Sequence, residues 1–313
     1  MSGCHSASQQ YLSMNETPIP SPLEETVVIV GVGMIGGSLA AAIRRHRIAG
    51  HVIGVGRDRA RMEAARDAGL IDEAATEIRS VLSRANLVIF CTPVERVIAE
   101  AGELERAIAE ISPSPSDQIP SRDLLLTDVG SVKSPICSAW NNLPAFIGSH
   151  PIAGSHRQGF EAADAGLFSG RICVVTPVPA SIPHRLERLV RFWQAIGMRT
   201  VQMSPEAHDA ALAMTSHLPH LAAAALAATL AAENRVLTGS GFRDTTRVAA
   251  GDPDLWTGIL FNNAEQVMAG IDHLQAGLAA FRTALATRDL DGLKKLLVDG
   301  ARSRAALDET SHR

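Results

Sequence analysis

Hydrophobic positions are spaced differently in the first two thirds of the chain and in the last third. Up to residue 203, short runs rich in Val, Ile and Leu alternate with segments whose apolar residues recur every three to four positions. The runs predict six strands: TVVIV, HVIGV, NLVIF, LLLTD, RICVV and RTVQM. Segments between them, such as RARMEAARDAG and HRLERLVRFWQAIG, predict helices. Strands alternating with helices are typical of parallel βαβ units, so we expect an α/β domain with a doubly wound parallel sheet.

From Ser204 onward the strand pattern stops. Three long segments, at 207–234, 253–285 and 290–307, carry Ala and Leu at helical spacing and predict an all-α second domain. These helices lack polar faces wide enough for a lone domain. Two interpretations stay open: the helices pack against a second copy of the chain, or they pack into a bundle with one another.

The composition excludes several classes of function. The chain is 46% hydrophobic and 20% charged, and its formal net charge of -4 gives no basis for binding nucleic acid or an anionic membrane. The most apolar long segment, LAAAALAATLAA, is shorter than the roughly 20 residues of a membrane span. Four scattered cysteines without a C-x-x-C pair indicate a reducing compartment. The first residues lack the features of a signal peptide, so we expect a cytoplasmic protein with a disordered tail at 1–25.

A glycine-rich turn follows the first predicted strand and opens the first helix. Gly31, Gly33 and Gly36, with Met34 and Ile35 between them, form G-x-G-x-x-G. The first glycine of this pattern makes the tight turn, the second lets the backbone approach a pyrophosphate, and the third lets the helix pack closely on the strand. The position of the turn between a strand and a helix therefore predicts a Rossmann-type dinucleotide-binding domain.

The end of the second strand bears on the choice of dinucleotide, because an Asp or Glu there contacts the ribose hydroxyls of NAD. At this point the chain has Gly56 and Arg57, followed by Asp58. Gly56 leaves room for a 2′-phosphate and Arg57 offers it a cation, which favours NADP. NAD stays open, since Asp58 could reach the ribose while Arg57 lies in solvent.

Polar residues also follow three further apolar runs. Thr92 and Pro93 end one run, Ser131 and Lys133 follow another, and His150 stands before a proline at the end of a third. Ligands of a doubly wound sheet gather outside the carboxyl ends of its strands, so we expect these residues to share one edge with the glycine turn. The residues predicted to bind the cofactor are Gly31, Gly33, Met34, Ile35, Gly36, Arg57, Thr92, Pro93 and Ser131.

The motifs GVGMIGGSLA, DVGSVK, GSHPIAGS, TSHLPH and GFRDTTRVAAGDPDLW, in this order, resemble those of the prephenate and arogenate dehydrogenases of tyrosine biosynthesis. The resemblance covers residues 27 to about 260. It implies a Rossmann domain, here 26–203, then an all-helical substrate and dimerisation domain, here 204–313, with a homodimer formed through the helices. It also implies an oxidoreductase that acts on a CH–CH donor. Such an enzyme uses NAD(P) to decarboxylate prephenate or arogenate oxidatively, giving 4-hydroxyphenylpyruvate or tyrosine.

The resemblance assigns catalytic roles to two residues. His150 is the imidazole that, in its neutral form, accepts the hydrogen bond of the substrate hydroxyl, and Ser131 is a hydrogen-bonding partner near the nicotinamide. A neutral imidazole predicts that turnover falls as the pH drops through the pKa of His150, about 6.5 if unperturbed. Many relatives that prefer prephenate carry Glu where this chain has His156. The preference between the pyruvyl and the alanyl side chain therefore stays open.

The residues implied for substrate binding are Arg247, His217, His220 and Lys133. Asp244 is expected to orient Arg247, and Lys133 either contacts the ring carboxylate or lies in solvent. The spacing of the two histidines would also suit half a metal site, but no third ligand follows at a suitable spacing, and we expect no metal. Two alternative functions stay open. One is a β-hydroxyacid-type dehydrogenase with Lys133 as its catalytic lysine, and the other is an NAD(H)-sensing domain without turnover.

Overall fold

The computed structural model of the chain describes residues 22–111, 123–154 and 157–310. Most of the predicted tail lies outside these residues. Its predicted end at residue 25 is two residues too late, because the first strand, β1, begins at Glu24. The Glu24 carboxylate is buried in an ion pair with Arg188, and this pairing lets a charged residue enter the strand.

A five-stranded parallel sheet, in the order β3-β2-β1-β4-β5, forms the centre of the first region. Its strands are β1 Glu24–Val30, β2 Ala49–Val55, β3 Glu73–Ala75, β4 Leu87–Phe90 and β5 Leu125–Asp128. The helices around it are α1 Met34–Arg45, α2 Arg59–Asp67, α3 Val94–Ile111, α4 Ser134–Ala139 and α5 Pro183–Ala195. Val27 of β1 pairs in register with Val52 of β2 on one side and Leu87 of β4 on the other.

Buried apolar side chains cover both faces of this sheet, which explains why its strands are continuous apolar runs rather than alternating ones. One cluster, which includes Val28, Phe90 and Trp140, joins α3 and α4 to one face. The other cluster, which includes Ile29 and Trp193, joins α1, α2 and α5 to the opposite face. The predicted α/β class with a doubly wound parallel sheet is therefore confirmed.

A second sheet of three strands continues from the edge of the first. It consists of β6 Gly148–Pro151, β7 Ile172–Thr176 and β8 Arg199–Gln202 in that order. β6 belongs to this second sheet and is antiparallel to β7, so, contrary to expectation, His150 is not on a strand of the five-stranded parallel sheet. A parallel bridge between Leu126 and Phe146 nevertheless places β6 alongside β5. His150 therefore lies beside the end of β5, on a strand that was too short to be recognised.

Helices follow from Pro205 to the end of the described residues, as the helical pattern predicted. They are α6 Pro205–Leu212, α7 Leu218–Ala228, α8 Ser240–Thr246, α9 Pro253–Asn262, α10 Ala264–Ala286 and α11 Leu290–Thr310. A π-helical turn, Ala213–His217, joins α6 to α7, and 3-10 turns occur at Ala232–Leu237 and Arg247–Ala250. A single inserted π-turn of this kind is common at functional sites.

The segment predicted as one helix over 253–285 is two helices that meet at Asn263. The backbone of Asn263 leaves the helical region, with φ −121° and ψ 29°. Its buried side-chain amide donates to the backbone carbonyl of Asp209 at 2.8 Å and lies 3.1 Å from Nδ1 of His217. The break therefore depends on partners from another helix, which the local pattern does not contain.

Pro205–Ala228 is, within the described ranges, the one helical stretch long and apolar enough to cross a membrane by length and composition. It is longer than the apolar segment recognised in the sequence, because the helix continues through the π-helical turn. A core helix meets the same criteria. Here the side chains of His208, Asp209 and His217 are buried in hydrogen bonds to other parts of the chain.

Candidate active site

The glycines of the turn differ in the space that a side chain would have: Gly36 has none, whereas Gly33 faces open space. Gly31 follows β1 with a φ of +92°, a conformation that favours glycine. A Cβ on Gly36 would lie 2.2 Å from the carbonyl oxygen of Gly31, so the turn requires glycine there. A Cβ on Gly33 would meet nothing within 4 Å. The open side of the turn thus lies at the start of α1, where unpaired backbone N–H groups attract a phosphate.

A cavity of about 510 Å³ lies over this turn. Five residues predicted to bind the cofactor line it: Gly31, Gly33, Arg57, Thr92 and Pro93. Met34, Ile35 and Gly36 form the adjacent first turn of α1. The Thr92 hydroxyl is buried and has no hydrogen-bond partner among the described residues, as expected of a group that awaits a ligand. The open glycine, the helix start and this hydroxyl fit a dinucleotide.

Residues that follow β2 form one end of the cavity. Gly56 lines the cavity there, and a Cβ on it would lie 2.8 Å from the sulfur of Met62, so a larger residue would have to displace that side chain. Asp58 caps the start of α2 by accepting from the backbone N–H of Arg61 at 3.2 Å. Arg57 and Arg61 are both exposed and line the cavity. Arg61 is a second cation that the sequence did not single out.

Lys133 does not have either of the environments predicted for it. Its side chain is fully buried, and its ammonium group pairs with the carboxylate of Asp128 and donates to the carbonyl of Ser149 at 2.8 Å. Asp128 also accepts from the backbone N–H of Gly130 at 2.8 Å. Lys133 is therefore not a solvated loop residue, and its charge is used to hold β5, β6 and the loop after β5 together. Ser131 lies in that loop, half-buried.

A chain of hydrogen bonds connects His150 to the helical region. Nδ1 of His150 lies 2.9 Å from Nε2 of His208, and Nδ1 of His208 lies 2.8 Å from Oδ1 of Asp209. Asp209 accepts from the backbone N–H groups of Lys133 at 2.7 Å and Ser134 at 2.8 Å, at the start of α4. The side chain of His150 is thus held from α6, while α6 is itself joined to the loop after β5.

His217 and His220 lie together farther along the same helical stretch. His217 contacts Asn263, which also binds the backbone of Asp209. His220 stacks on Trp256 with ring centroids 3.5 Å apart. Trp256 lies 6.3 Å from His217 in an edge-on arrangement. The predicted pair of histidines therefore shares one wall with Trp256, next to the residues that hold His150.

Arg247 lies in the 3-10 turn that packs against α7. Its side chain is exposed, as is that of Asp244. These two residues form no hydrogen bond or ion pair with each other, so the predicted orienting contact is wrong. Asp244 is on α8, and Arg247 begins the 3-10 turn that follows it.

Burial lowers the pKa of four histidines: His150, His208, His217 and His220. We call these residues the cleft histidines. For His150 the pKa falls well below its usual value, because burial is reinforced by His208, Lys133 and His217. The pKa of His217 falls to about 4. The unperturbed value of about 6.5 therefore does not apply to His150, and we expect turnover to fall only at a pH well below it.

Comparison with known proteins identifies the family. Residues 39–202 match the nucleotide-binding domain of prephenate dehydrogenase, and residues 204–299 match its dimerization domain. This chain belongs to the prephenate dehydrogenase family. It is an oxidoreductase with the nucleotide-binding and dimerization domains of that family.

Similar proteins include members of the family that are named for different substrates. The cyclohexadienyl dehydrogenase of Zymomonas mobilis is 32% identical over 296 residues, which cover 91% of this chain and 97% of that protein. Prephenate dehydrogenase from A. aeolicus, solved with hydroxyphenyl propionate and NAD+, is 30% identical with a TM-score of 0.79, covering 90% of this chain and 98% of that one. Synechocystis arogenate dehydrogenase is 31% identical with a TM-score of 0.75, covering 90% and 99%.

Several residues around the cleft of this dehydrogenase were missed in the sequence. His208 and Asp209 are adjacent in the segment PEAHDAAL, where a charged pair on a helix usually faces solvent. Asn263 lies in a segment interpreted only as helix, and Trp256 ends the motif GFRDTTRVAAGDPDLW but was given no role. Burial is what distinguishes these residues, and it depends on contacts between distant segments. The adjacent polar pair at the start of an otherwise apolar helix was the one signal available.

Two other predictions concern residues or ligands in or near the cleft. His156, which bears on the choice of substrate side chain, lies outside the described residues. Within the described ranges, His, Cys, Asp and Glu side chains do not form a group of three or more that could hold a metal ion.

Proposed function

We propose that this dehydrogenase catalyses the NAD(P)-dependent oxidative decarboxylation of prephenate, of arogenate, or of both, in tyrosine biosynthesis. The observation that carries the proposal is the environment of His150. Its imidazole is buried, its pKa is lowered, and its Nδ1 is engaged with His208. Nε2 of His150 has no hydrogen-bond partner within the part of the chain that the structure describes. That nitrogen is left as the one able to receive a proton.

The reaction needs such a group at the ring hydroxyl of the substrate. When bound, the dinucleotide supplies the acceptor for the hydride of the carbon that carries this hydroxyl. As the C–H bond breaks, the hydroxyl oxygen becomes a carbonyl oxygen, and His150 accepts the proton on Nε2. Carbon dioxide then leaves the opposite ring carbon, and the electron pair of the broken C–C bond moves through the ring to the carbonyl oxygen. That oxygen takes the proton back from His150, which gives the aromatic phenol. Ser131, in the loop after β5, is proposed to hydrogen-bond near the same atoms.

Binding of the substrate carboxylates is proposed to rely on Arg247. Its exposed guanidinium can pair with a carboxylate through two hydrogen bonds. His217 and His220 are neutral at pH 7, since burial lowers their pKa, and they serve as hydrogen-bonding groups rather than cations. Lys133 is not proposed as a substrate ligand, because Asp128 holds its ammonium group. This burial also counts against Lys133 as the catalytic lysine of a β-hydroxyacid-type enzyme.

NADP is the proposed cofactor, and NAD is the alternative. Two exposed arginines, Arg57 and Arg61, line the cavity beyond the end of β2. Together they can neutralise the 2′-phosphate that distinguishes NADP from NAD. The carboxylate of Asp58 is engaged as a helix cap, which reduces its availability to the ribose hydroxyls.

We also propose that the enzyme is a cytoplasmic homodimer, divided near residue 203 into a Rossmann domain and a helical domain. Exposed apolar side chains concentrate on the helices, and three of them, Leu274, Leu278 and Leu285, recur along one face of α10. A second copy of the same face would bury them. The match of residues 204–299 to the dimerization domain of prephenate dehydrogenase supports this proposal.

The experiment that tests the function measures reduced nicotinamide by absorbance with prephenate and with arogenate, each with NAD and with NADP. We expect turnover in at least one combination and faster turnover with NADP. His150→Asn should lower kcat by about 10²- to 10⁴-fold and leave cofactor affinity unchanged. His46→Asn, at an exposed histidine after α1, is the matched control and should keep full activity. Cofactor binding without turnover in all four combinations would contradict the proposal and favour a sensing domain.

A further inference from the structure

Asp209 acts as a hydrogen-bond acceptor because of the groups that surround it. Two backbone N–H groups, from Lys133 and Ser134, point at its carboxylate. Hydrogen bonds from these groups and from His208 keep the pKa of Asp209 below its usual value despite burial. The carboxylate is ionised at neutral pH and can only accept.

The state of His208 follows from this acceptor. Its Nδ1 lies 2.8 Å from Oδ1 of Asp209, so Nδ1 must carry a hydrogen. Burial lowers the pKa of His208, and a neutral imidazole with its hydrogen on Nδ1 has an unprotonated Nε2. The side chain is fully buried, so solvent does not compete for that nitrogen.

The state of His150 follows in turn. Its Nδ1 lies 2.9 Å from the unprotonated Nε2 of His208, so the hydrogen between them belongs to Nδ1 of His150. A neutral His150 with its hydrogen on Nδ1 has a lone pair on Nε2. The other tautomer would place two lone pairs against each other at Nδ1 and leave a hydrogen, rather than a lone pair, at the position that must receive the substrate proton.

We propose that Asp209 and His208 are positioning residues that fix His150 in the tautomer with hydrogen on Nδ1, so that Nε2 is the proton acceptor. This proposal rests on the proposed function, in which His150 takes the proton of the substrate hydroxyl. The proton moves from the hydroxyl oxygen to Nε2, and the hydrogen on Nδ1 stays in place. His150 then carries one positive charge, which the Asp209 carboxylate stabilises through His208.

The same contacts couple this tautomer to the fit between the two regions of the molecule. Asp209 is on α6, whereas its two backbone donors begin α4 beside the five-stranded sheet. His150 is on β6 and depends on α6 for its partner. Correct docking of α6 on the sheet is thus a condition for a competent base.

The first test measures the tautomer itself. Protein labelled with ¹⁵N in histidine is studied by long-range ¹H–¹⁵N NMR at pH 7, without substrate, and His150 is assigned by the loss of its signals in His150→Gln. We expect hydrogen on Nδ1 in the wild-type enzyme. Hydrogen on Nε2 of His150 would overturn the proposal. This result does not require turnover, so it is independent of whether the proposed reaction occurs.

The second test compares two substitutions of similar size at one position. In His208→Gln the side-chain oxygen can still accept from Nδ1 of His150, whereas His208→Leu provides no acceptor. We expect His208→Leu to lower kcat by about 10²-fold with little change in KM, and His208→Gln to recover most of the loss. Equal losses of kcat in the two variants, at equal unfolding temperatures, would overturn the proposal. If either variant does not fold, the wild-type NMR measurement decides alone.

Discussion

The two regions of this dehydrogenase bury their apolar side chains to different extents. Of the large apolar side chains that are exposed in the described residues, three lie before residue 204 and fifteen lie after it. The three, Leu23, Ile152 and Val201, are each exposed by only 38 to 39%, whereas Phe261 is 82% exposed. The sheet region therefore completes its own core. The helical region keeps apolar faces that a single chain leaves in water, which makes association of two copies the natural way to cover them.

The helical region nevertheless buries five polar side chains. His208, Asp209, His217, His220 and Asn263 are buried, and the contacts of His208 and Asp209 reach residues of the sheet region. The helical region thus directs polar side chains toward the sheet and exposes large apolar side chains on other faces. The polar side chains toward the sheet contribute to the active site, whereas the exposed apolar faces are available for association. Substitutions can therefore disturb the site and the association separately.

The largest effect is expected from charges on the exposed face of α10. In Leu278→Glu/Leu285→Glu, each copy would lose two apolar contacts worth about 2 kcal/mol each, so dimer affinity should fall by at least about 10³-fold. Sedimentation or size-exclusion chromatography with light scattering should show a monomer. The control is Val201→Glu, at an exposed apolar residue of the sheet region, and should stay dimeric. A monomeric wild-type enzyme would contradict the proposal that a second copy covers the apolar faces of the helical region.

The next largest effect is expected from substitutions in the glycine turn of the sheet region. Gly36→Ala should weaken cofactor binding by about 100-fold and lower the free energy of unfolding by about 1 to 3 kcal/mol, because the new methyl group meets the carbonyl of Gly31. Gly33→Ala should weaken cofactor binding about tenfold without loss of stability, since its methyl group projects into open space that the cofactor would use. Cofactor titration and thermal unfolding of both variants provide the check. Equal stability losses would show that the turn is not closed at Gly36.

The smallest effect is a pH dependence of stability that comes from the cleft histidines. Because burial lowers their pKa in the folded state, the unfolded chain binds protons more readily, and stability falls as the pH drops below about 6.5. For His217 the loss runs from about pH 6.5 to about pH 4. His217→Gln should reduce the difference in unfolding free energy between pH 7.5 and pH 5 by about 2 kcal/mol. An unchanged difference would mean that His217 is not buried as a neutral group.

The dependence of kcat on pH on the acid side tests the lowered pKa of His150 directly. With chemistry limiting, kcat should stay level down to a pH well below 6.5, because His208, Lys133 and His217 add to burial in keeping His150 unprotonated. A fall centred near pH 6.5 would show a solvent-exposed His150.

The strands of the sheet and the glycine turn could be predicted from the sequence because their signals are local. β1, β2 and β4 are continuous apolar runs, and the turn after β1 places its three glycines at fixed spacing. The same holds for the change to helices after β8, which depends only on the period of the apolar residues. For these features the segment itself contains the physical cause.

Only the tertiary structure decided the use of each polar residue in the cleft. Lys133 has the same local sequence whether it lies in solvent or pairs with Asp128, and the choice depends on burial between β5 and β6. His208 and Asp209 are two ordinary helix residues until α4 and β6 lie against them. Sequence determined which segments are strands, helices and glycine turn, since those depend on neighbours along the chain. Protonation, tautomer and pairing depend on neighbours in space, and the fold alone supplies them.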